Sequence, residues 1–420
     1  MNLVLLFPGQ GAQYTGMGKS FCDRYASAKV TFEEANDVLG YDLQNLCFYG
    51  KIEELTQTEY AQPGLLTVSM AIFRVFMEEI GIKPIYALGH SLGEISAITC
   101  AGGLQFRDAL KIVQKRGRLM QETLPDGAGT MSSISGIDKS VIEEECHRLC
   151  SEDEIVVVSN YNSPQQTIIS GHRHAVAKVG QKLVANGAIV TNLNVSSAFH
   201  SPLMKPMVPD FSAELAKYSF QDLNWPVISN VDAVPYFKSS EICNRLIRQI
   251  EEPVRWQESI HYIQKQGITH AIEIGPKTVL KNLMIRNAPE IVTYSYDKSE
   301  DRLSLVKGPL RKSTQAGSAE EDIQTVVTMC LAAAVSTRNR NWNEEEFLKG
   351  VIEPYQRIRA MQSVLKKQGN KPSLSQMQEA LDMLRSVLVT KKVPLNEQKE
   401  RFNQIVETTG TNHLFRDLAG

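Results

Sequence analysis

The sequence has no long apolar run. Its first, Leu3 to Phe7, lacks a basic flank and stops at Pro8-Gly9. That is too short for a signal peptide or a membrane span, so no membrane partner is expected. It reads as a buried first strand. An excess of one charge is also missing: 45 Lys and Arg stand against 47 Asp and Glu, for a formal net charge of -2. Nothing in that balance points to nucleic acid as the main partner. Cysteine is sparse, seven in 420 residues and scattered. Only Cys146 and Cys150 are close, at a spacing that fits no usual zinc pattern, so no metal site is expected. An odd, dispersed set fits reduced thiols and a cytoplasmic location. No internal repeat is evident.

What is present is ordinary for a soluble globular chain, with 42% hydrophobic and 22% charged residues. The length exceeds what one core usually serves, so two or three domains are expected. Residues 1–300 alternate short apolar runs with amphipathic stretches. Leu3 to Phe7, Ile85 to Leu88 and Ala271 to Ile274 read as buried strands, and Pro63 to Ile80 and Arg107 to Glu122 as helices. Such alternation predicts a mostly parallel sheet covered by helices. Within it, residues 127–195 differ. Thr130 to Ser135, Ile155 to Ser159, Gln166 to Ser170 and Ala188 to Asn194 read as strands, with helices over Asp138 to Leu149 and His174 to Ala185. That order is the split βαβ–βαβ of a ferredoxin-like unit, taken as an insertion.

Lys307 to Ala319 is rich in Gly, Pro, Ser, Thr and charge, and reads as a linker. Roughly four helices are expected beyond it. Leu374, Met377, Leu381, Leu384 and Leu388 form one stripe of a helix opened by Ser373 or Ser375. The stripe must be buried against something. Glu344 to Lys367 is a second helix, N-capped by Asn343 and kinked at Pro354.

Gly89-His90-Ser91-Leu92-Gly93 follows a strand and precedes an amphipathic stretch from Glu94. This is the G-x-S-x-G elbow in its strand–turn–helix setting. The turn holds the Ser91 hydroxyl clear of the sheet at a helix N-terminus, where the Leu92 N–H can face a developing oxyanion. The expected fold is therefore an α/β-hydrolase-like parallel-sheet domain (residues 1–126 and 196–306) with an inserted ferredoxin-like subdomain (127–195). A linker (307–319) and an all-helical C-terminal extension (320–420) follow. An elbow alone suits a lipase, an esterase or an acyltransferase. Phe7-Pro8-Gly9-Gln10-Gly11-Ala12-Gln13, directly after the first strand, lacks the Lys and Ser/Thr of a phosphate-binding loop, which argues against nucleotide binding.

Six segments narrow the choice: Phe7 to Gln13, Gly89 to Glu94, Gln114-Lys115-Arg116-Gly117, Asn160-Tyr161-Asn162-Ser163-Pro164, Ala198-Phe199-His200-Ser201-Pro202 and Glu273-Ile274-Gly275-Pro276. In order and spacing the chain resembles, over residues 1–300, the malonyl-CoA:acyl-carrier-protein transacylase family. The resemblance implies that Ser91 is the nucleophile that carries a malonyl ester and His200 its general base. It implies an oxyanion hole from the N–H groups of Gln10 and Leu92. Arg116 resembles the residue that pairs with the malonate carboxylate, a task that suits a planar guanidinium which stays charged when buried. Gln62, Phe199 and Asn160 are implied to bind substrate. No acidic third member of a triad is evident, and the resemblance places the histidine-orienting backbone carbonyl at Arg255. It implies malonyl-CoA and a phosphopantetheine-bearing carrier protein as partners, with no cofactor and no metal.

Two departures stand out. Ser197 lies where modular polyketide synthases often carry histidine or tyrosine, and the tail after Lys307 is absent from the short housekeeping enzymes of fatty acid biosynthesis. Both point to a discrete enzyme that serves polyketide or hybrid polyketide–peptide (lipopeptide) assembly lines in trans. The basic pairs Lys366-Lys367 and Lys391-Lys392 are candidates to meet an acidic carrier. The main alternative is an acyl hydrolase of the same fold that strips stalled chains from carriers, for which Arg116 has no use. An esterase of the α/β-hydrolase class would place its histidine late, after an acid at a strand end. A non-catalytic scaffold would not retain Ser91, His200 and Arg116 together.

Overall fold

The computed structural model describes residues 2–195, 197–307, 325–337, 339–341, 343–368, 370, 372–409, 411 and 414–415. The chain divides into two compact units, Met1–Lys312 and Ser313–Gly420.

In chain order, the strands of the first unit are β1 (Leu3–Phe7), β2 (Tyr86–Gly89), β3 (Gly129–Ser135), β4 (Val156–Ser163), β5 (Gln166–His172), β6 (Ile189–Asn192), β7 (Val227–Ile228), β8 (His270–Glu273) and β9 (Val292–Ser295). The main sheet runs β7-β2-β1-β8-β9 and is parallel throughout. Parallel neighbours need long crossovers, and helices supply them on both faces. β1 is accordingly buried at all five positions. Leu3, Leu5 and Phe7 enter one core, while Val4 and Leu6 join Trp256 and Ile260 in another, as the two-residue period of a strand requires. Phe7 lies opposite Gly89, and the Phe7 carbonyl accepts the His90 N–H at 3.0 Å. The ends of β1 and β2 thus deliver the Gln10 loop and the Ser91 elbow to one place, at the carboxyl edge where parallel sheets bind ligands.

The second sheet runs β4-β5-β3-β6 and is antiparallel. Helices Lys139–Leu149 and Arg173–Ala185 follow β3 and β5, which gives the ferredoxin-like order read from the sequence. β4 runs four residues beyond the expected Ser159. Its Tyr161 N–H meets the Val254 carbonyl at 2.9 Å, which stitches the small sheet to the larger domain.

In the second unit, helix Val326–Ser336 is followed by Glu344–Phe347, a π turn Leu348–Ile352, Glu353–Gln368, Leu374–Thr390 and Leu395–Thr408. The expected N-caps are present. Asn343 Oδ1 accepts from the N–H groups of Glu345 and Glu346, and Ser373 forms a capping box with Gln376. The break expected at Pro354 takes the form of a π turn directly ahead of it. Pro354 has no N–H for the Gly350 carbonyl, which accepts the Ser386 hydroxyl at 2.9 Å instead. The apolar stripe is buried within the unit: Leu381, Leu384 and Leu388 pack with Val326, Val327 and Leu331, while Leu374 stays exposed. Lys391 corrects an expectation. Its ammonium is buried and donates to the carbonyls of Ala334 (3.1 Å) and Thr337 (2.7 Å), so it closes the C-terminal end of helix Val326–Ser336 and does not offer a basic surface. The Lys366 and Lys367 side chains lie outside the described residues. No helix among the described residues is long and apolar enough to cross a membrane.

Candidate active site

Ser91 sits at the joint between β2 and helix Leu92–Cys100 with φ 52° and ψ -110°, a backbone region that L-residues rarely adopt. Its neighbours make room for this. A Cβ at Gly93 would fall 1.9 Å from the Phe7 carbonyl oxygen, and one at Gly9 would fall 2.3 Å from that of His90. Only glycine lets these backbones close on one another. The Ser91 N–H is pinned to Asn230 Oδ1 at 2.8 Å, and Asn230 Nδ2 donates to the Gly89 carbonyl at 2.7 Å.

The Ser91 hydroxyl faces His200 Nε2 at 2.7 Å. His200 Nδ1 lies 2.7 Å from the carbonyl oxygen of Gln249. That contact fixes the tautomer: Nδ1 carries the proton, and Nε2 turns its lone pair on Ser91. The sequence placed the orienting carbonyl at Arg255, and the structure corrects this. The Arg255 carbonyl accepts the N–H and hydroxyl of Ser259, in the first turn of helix Trp256–Lys265. The Arg255 side chain is exposed and paired with Glu258. Gln249 follows helix Ser240–Arg248, where the last carbonyls are released from helical bonding and can accept from elsewhere.

Arg116 comes from helix Phe106–Glu122 and is 1% exposed. Nη1 donates to Gln62 Oε1 at 3.0 Å, and Nη2 donates to Gln249 Oε1 at 2.8 Å and to Ser91 Oγ at 3.3 Å. Its Nε–H is buried without a partner. Arg116, Gln62, Ser91 and His200 border a cavity of ≈ 810 Å³. Gln10, Leu92, Asn160 and Phe199 line it too, with Met120, Met131 and Ile168 as apolar wall. The N–H groups of Gln10 and Leu92 have no acceptor among the described residues. Asn160 is buried, its Oδ1 accepting from Ser159 Oγ at 2.8 Å. Arg255 is not among the residues that line the cavity.

Three buried polar residues escaped the sequence reading: Glu94, Asn230 and Gln249. The Glu94 carboxylate accepts from the Asn230 N–H (3.2 Å), Gln249 Nε2 and the Tyr236 hydroxyl. Glu94 closes the segment Gly89 to Glu94, yet its place there implies no role. Asn230 and Gln249 carry no local signal. Among the described residues, no cluster of three or more His, Cys, Asp or Glu side chains could hold a metal ion.

Burial, and then the nearby Arg116 cation, hold His200 down at about 3. Its imidazole is therefore neutral and able to accept a proton through the physiological range. Removing the cation should raise this value. In Arg116→Met, with acetyl-CoA as donor, the acid limb of the kcat/KM profile is expected to move to higher pH. A limb that stays where it is in the parent enzyme would count against electrostatic control by Arg116.

Residues 4–339 match the acyl transferase domain family. A malonyl CoA-acyl carrier protein transacylase of Bacillus subtilis is 38% identical over 397 residues, 94% of this chain and 98% of its own length. That match must take in most of the helical unit. Another from Escherichia coli K12 is 42% identical over 286 residues, 68% of this chain and 92% of its own. Among solved structures, the malonyl CoA-acyl carrier protein transacylase of Coxiella burnetii has a TM-score of 0.71 at 39% identity, covering 73% of this chain and 97% of that one. A malonyl-transacylase in complex with its holo type II polyketide synthase acyl-carrier protein also scores 0.71, at 38% identity, covering 73% and 99%. Identity at this level, over nearly the full length of both chains in the first case, places the protein: it belongs to the malonyl CoA-acyl carrier protein transacylase family of acyltransferases.

Proposed function

We propose that this chain moves a malonyl group from coenzyme A to the phosphopantetheine thiol of an acyl carrier protein by way of an ester on Ser91. The observation that carries the reading is Arg116, a buried cation with an unpartnered N–H, 3.3 Å from the Ser91 hydroxyl. A hydrolase that clears neutral acyl chains has no use for such a group. A donor whose far end is a carboxylate does.

Ser91 Oγ attacks the thioester carbonyl while its proton passes to His200 Nε2. The oxyanion falls to the N–H groups of Gln10 and Leu92. Donors of this kind are worth about 10²–10³ in rate each. Collapse expels the CoA thiolate, which takes the proton from His200. The carrier thiol then runs the same steps in reverse and leaves Ser91 free. Gln62 and Gln249 hold two arms of Arg116 in place, so the guanidinium is set before the malonyl carboxylate arrives.

The scheme is tested by intact mass and by kinetics. Malonyl-CoA alone should add one malonyl mass, and holo carrier protein should then remove it. Initial-rate plots should be parallel, because CoA must leave before the carrier uses the same oxyanion site. Intersecting lines would rule out the ping-pong order.

Phe199 is buried at the cavity wall, and in this scheme its ring would fill the space an α-methyl needs. Malonyl-CoA should be preferred over methylmalonyl-CoA by tens- to a few-hundredfold, since a methyl's worth of pocket is about 1–3 kcal/mol. Phe199→Ser should narrow that gap. Equal specificity constants in the parent enzyme would refute the role of Phe199.

The carrier we infer belongs to a polyketide or hybrid polyketide–peptide synthase, served in trans. Ser197, the helical unit and a structural neighbour bound to a type II polyketide carrier support this. Transfer rates to polyketide carrier domains and to a fatty-acid carrier, compared side by side, test it. Faster transfer to the fatty-acid carrier would overturn it.

A further inference from the structure

Glu94 is a buried titratable group that the transfer scheme does not use. It is 1% exposed, as is Arg116, and neither forms an ion pair among the described residues. Gln249 stands between them. Its Oε1 accepts from Arg116 Nη2, and its Nε2 donates to Glu94 Oε2. The amide is thus polarised end to end, with its acceptor toward the cation and its donor toward the anion. Two unit charges buried with no counter-charge would each be costly. Relayed through one amide, each serves the other.

A malonyl group brings a second anion. With its carboxylate on Arg116, the buried site would hold two carboxylates and one guanidinium. Like charges in one site push one carboxyl toward its neutral form. Glu94 is built to take the proton on one oxygen only. Oε2 faces two groups that can only donate, the Asn230 N–H and the Gln249 amide NH₂. Oε1 faces the Tyr236 hydroxyl, which can turn and accept.

Resting on the transfer reaction above, we propose that Glu94 is a positioning residue: it is the relayed counter-charge of Arg116 in the empty site, and it takes up one proton from solvent when a malonyl carboxylate replaces it in that role. The charged and titratable groups that face it are few. Arg116 reaches it from helix Phe106–Glu122, and Tyr236 from the segment after β7. Beyond Tyr236 stands Arg245, over the ring at 5.0 Å and itself paired with Asp232 and Glu241. Burial already pushes the Glu94 carboxyl up to about 7, against the pull of its hydrogen bonds and of Arg116. A nearby anion raises it further, so uptake should be largest where the empty site is still ionised.

The balance can be read directly. Acylation of Ser91 moves the serine proton to the CoA thiol and by itself takes up none. In weak buffer near neutral pH, with an indicator dye, malonyl-CoA should cause uptake of roughly half a proton per site acylated, rising toward one at higher pH. Acetyl-CoA should cause none. Glu94→Gln can accept from Asn230 and Gln249 and donate to Tyr236, so it mimics the protonated form. Its malonylation should proceed with no uptake. The ratio of malonyl to acetyl kcat/KM should fall roughly three- to tenfold between about pH 6 and pH 8 in the parent enzyme and stay flat in Glu94→Gln. A residue that merely supports the fold would leave the two pH profiles alike. A malonyl adduct seen by mass without proton uptake overturns the inference and leaves the transfer reaction standing. Absence of the adduct overturns both. Should Glu94→Gln fail to fold, the contrast between malonyl-CoA and acetyl-CoA in the parent enzyme decides alone.

Discussion

Alanine in place of Ser91 should leave no malonyl adduct on the chain and lower transfer by about 10⁶-fold, the scale seen when a hydrolase nucleophile is removed. Among the described residues the Ser91 side chain bonds to His200 and Arg116, so the substitution deletes the proposed nucleophile and little else. The elbow is held from the backbone, by Asn230 on the Ser91 N–H and by the glycines packed around the turn. The variant should therefore fold, and circular dichroism alongside intact mass after exposure to malonyl-CoA checks both points. An adduct that persists would place the acyl group elsewhere and sink the assignment.

Arg116→Ala should cost malonyl transfer about 10²–10⁴ in kcat/KM and acetyl transfer far less. A hydrogen bond to a charged group contributes roughly 1.5–3 kcal/mol, and a guanidinium offers a carboxylate two in parallel. Acetyl has no such group to lose. The two donors should be compared at one pH, because removing the cation also shifts His200. Equal losses for both would mean that Arg116 serves the fold and not the substrate.

The sequence carried the architecture wherever a pattern is local. The two-residue alternation of β1, the helix–strand order of residues 127–195, the Asn343 and Ser373 caps and the elbow around Ser91 all depend on near neighbours. Ser91, His200 and Arg116 come from separate motifs, and the fold brings them together: Ser91 bonds to His200 and to Arg116, and Arg116 in turn to Gln62. What stayed hidden depends on partners far along the chain. Gln249 meets Ser91 and Glu94 across 158 and 155 residues. Its type gives no hint of burial, because glutamine is ordinarily a surface residue. Lys391 misled for the same reason: a lysine beside a second lysine reads as solvated until a helix end 54 residues away proves to need a cation. The Arg255 assignment failed on a different ground. A carbonyl acceptor is present at every residue, so no residue type marks the one that is used.

That last point reaches into genetics. The group that sets the histidine tautomer belongs to the peptide backbone at Gln249. No codon change deletes it. On the proposed scheme, a scan that replaced each residue in turn would flag Ser91, His200 and Arg116 and would find no side chain that completes a triad with Ser91 and His200. Losses at Gln249 would report its side chain, which braces Arg116, while the carbonyl remained in place. A catalytic part made of main chain is heritable only through the fold that positions it. Substitutions that disable it will therefore map to the packing beneath the turn after helix Ser240–Arg248, away from any residue that touches the substrate.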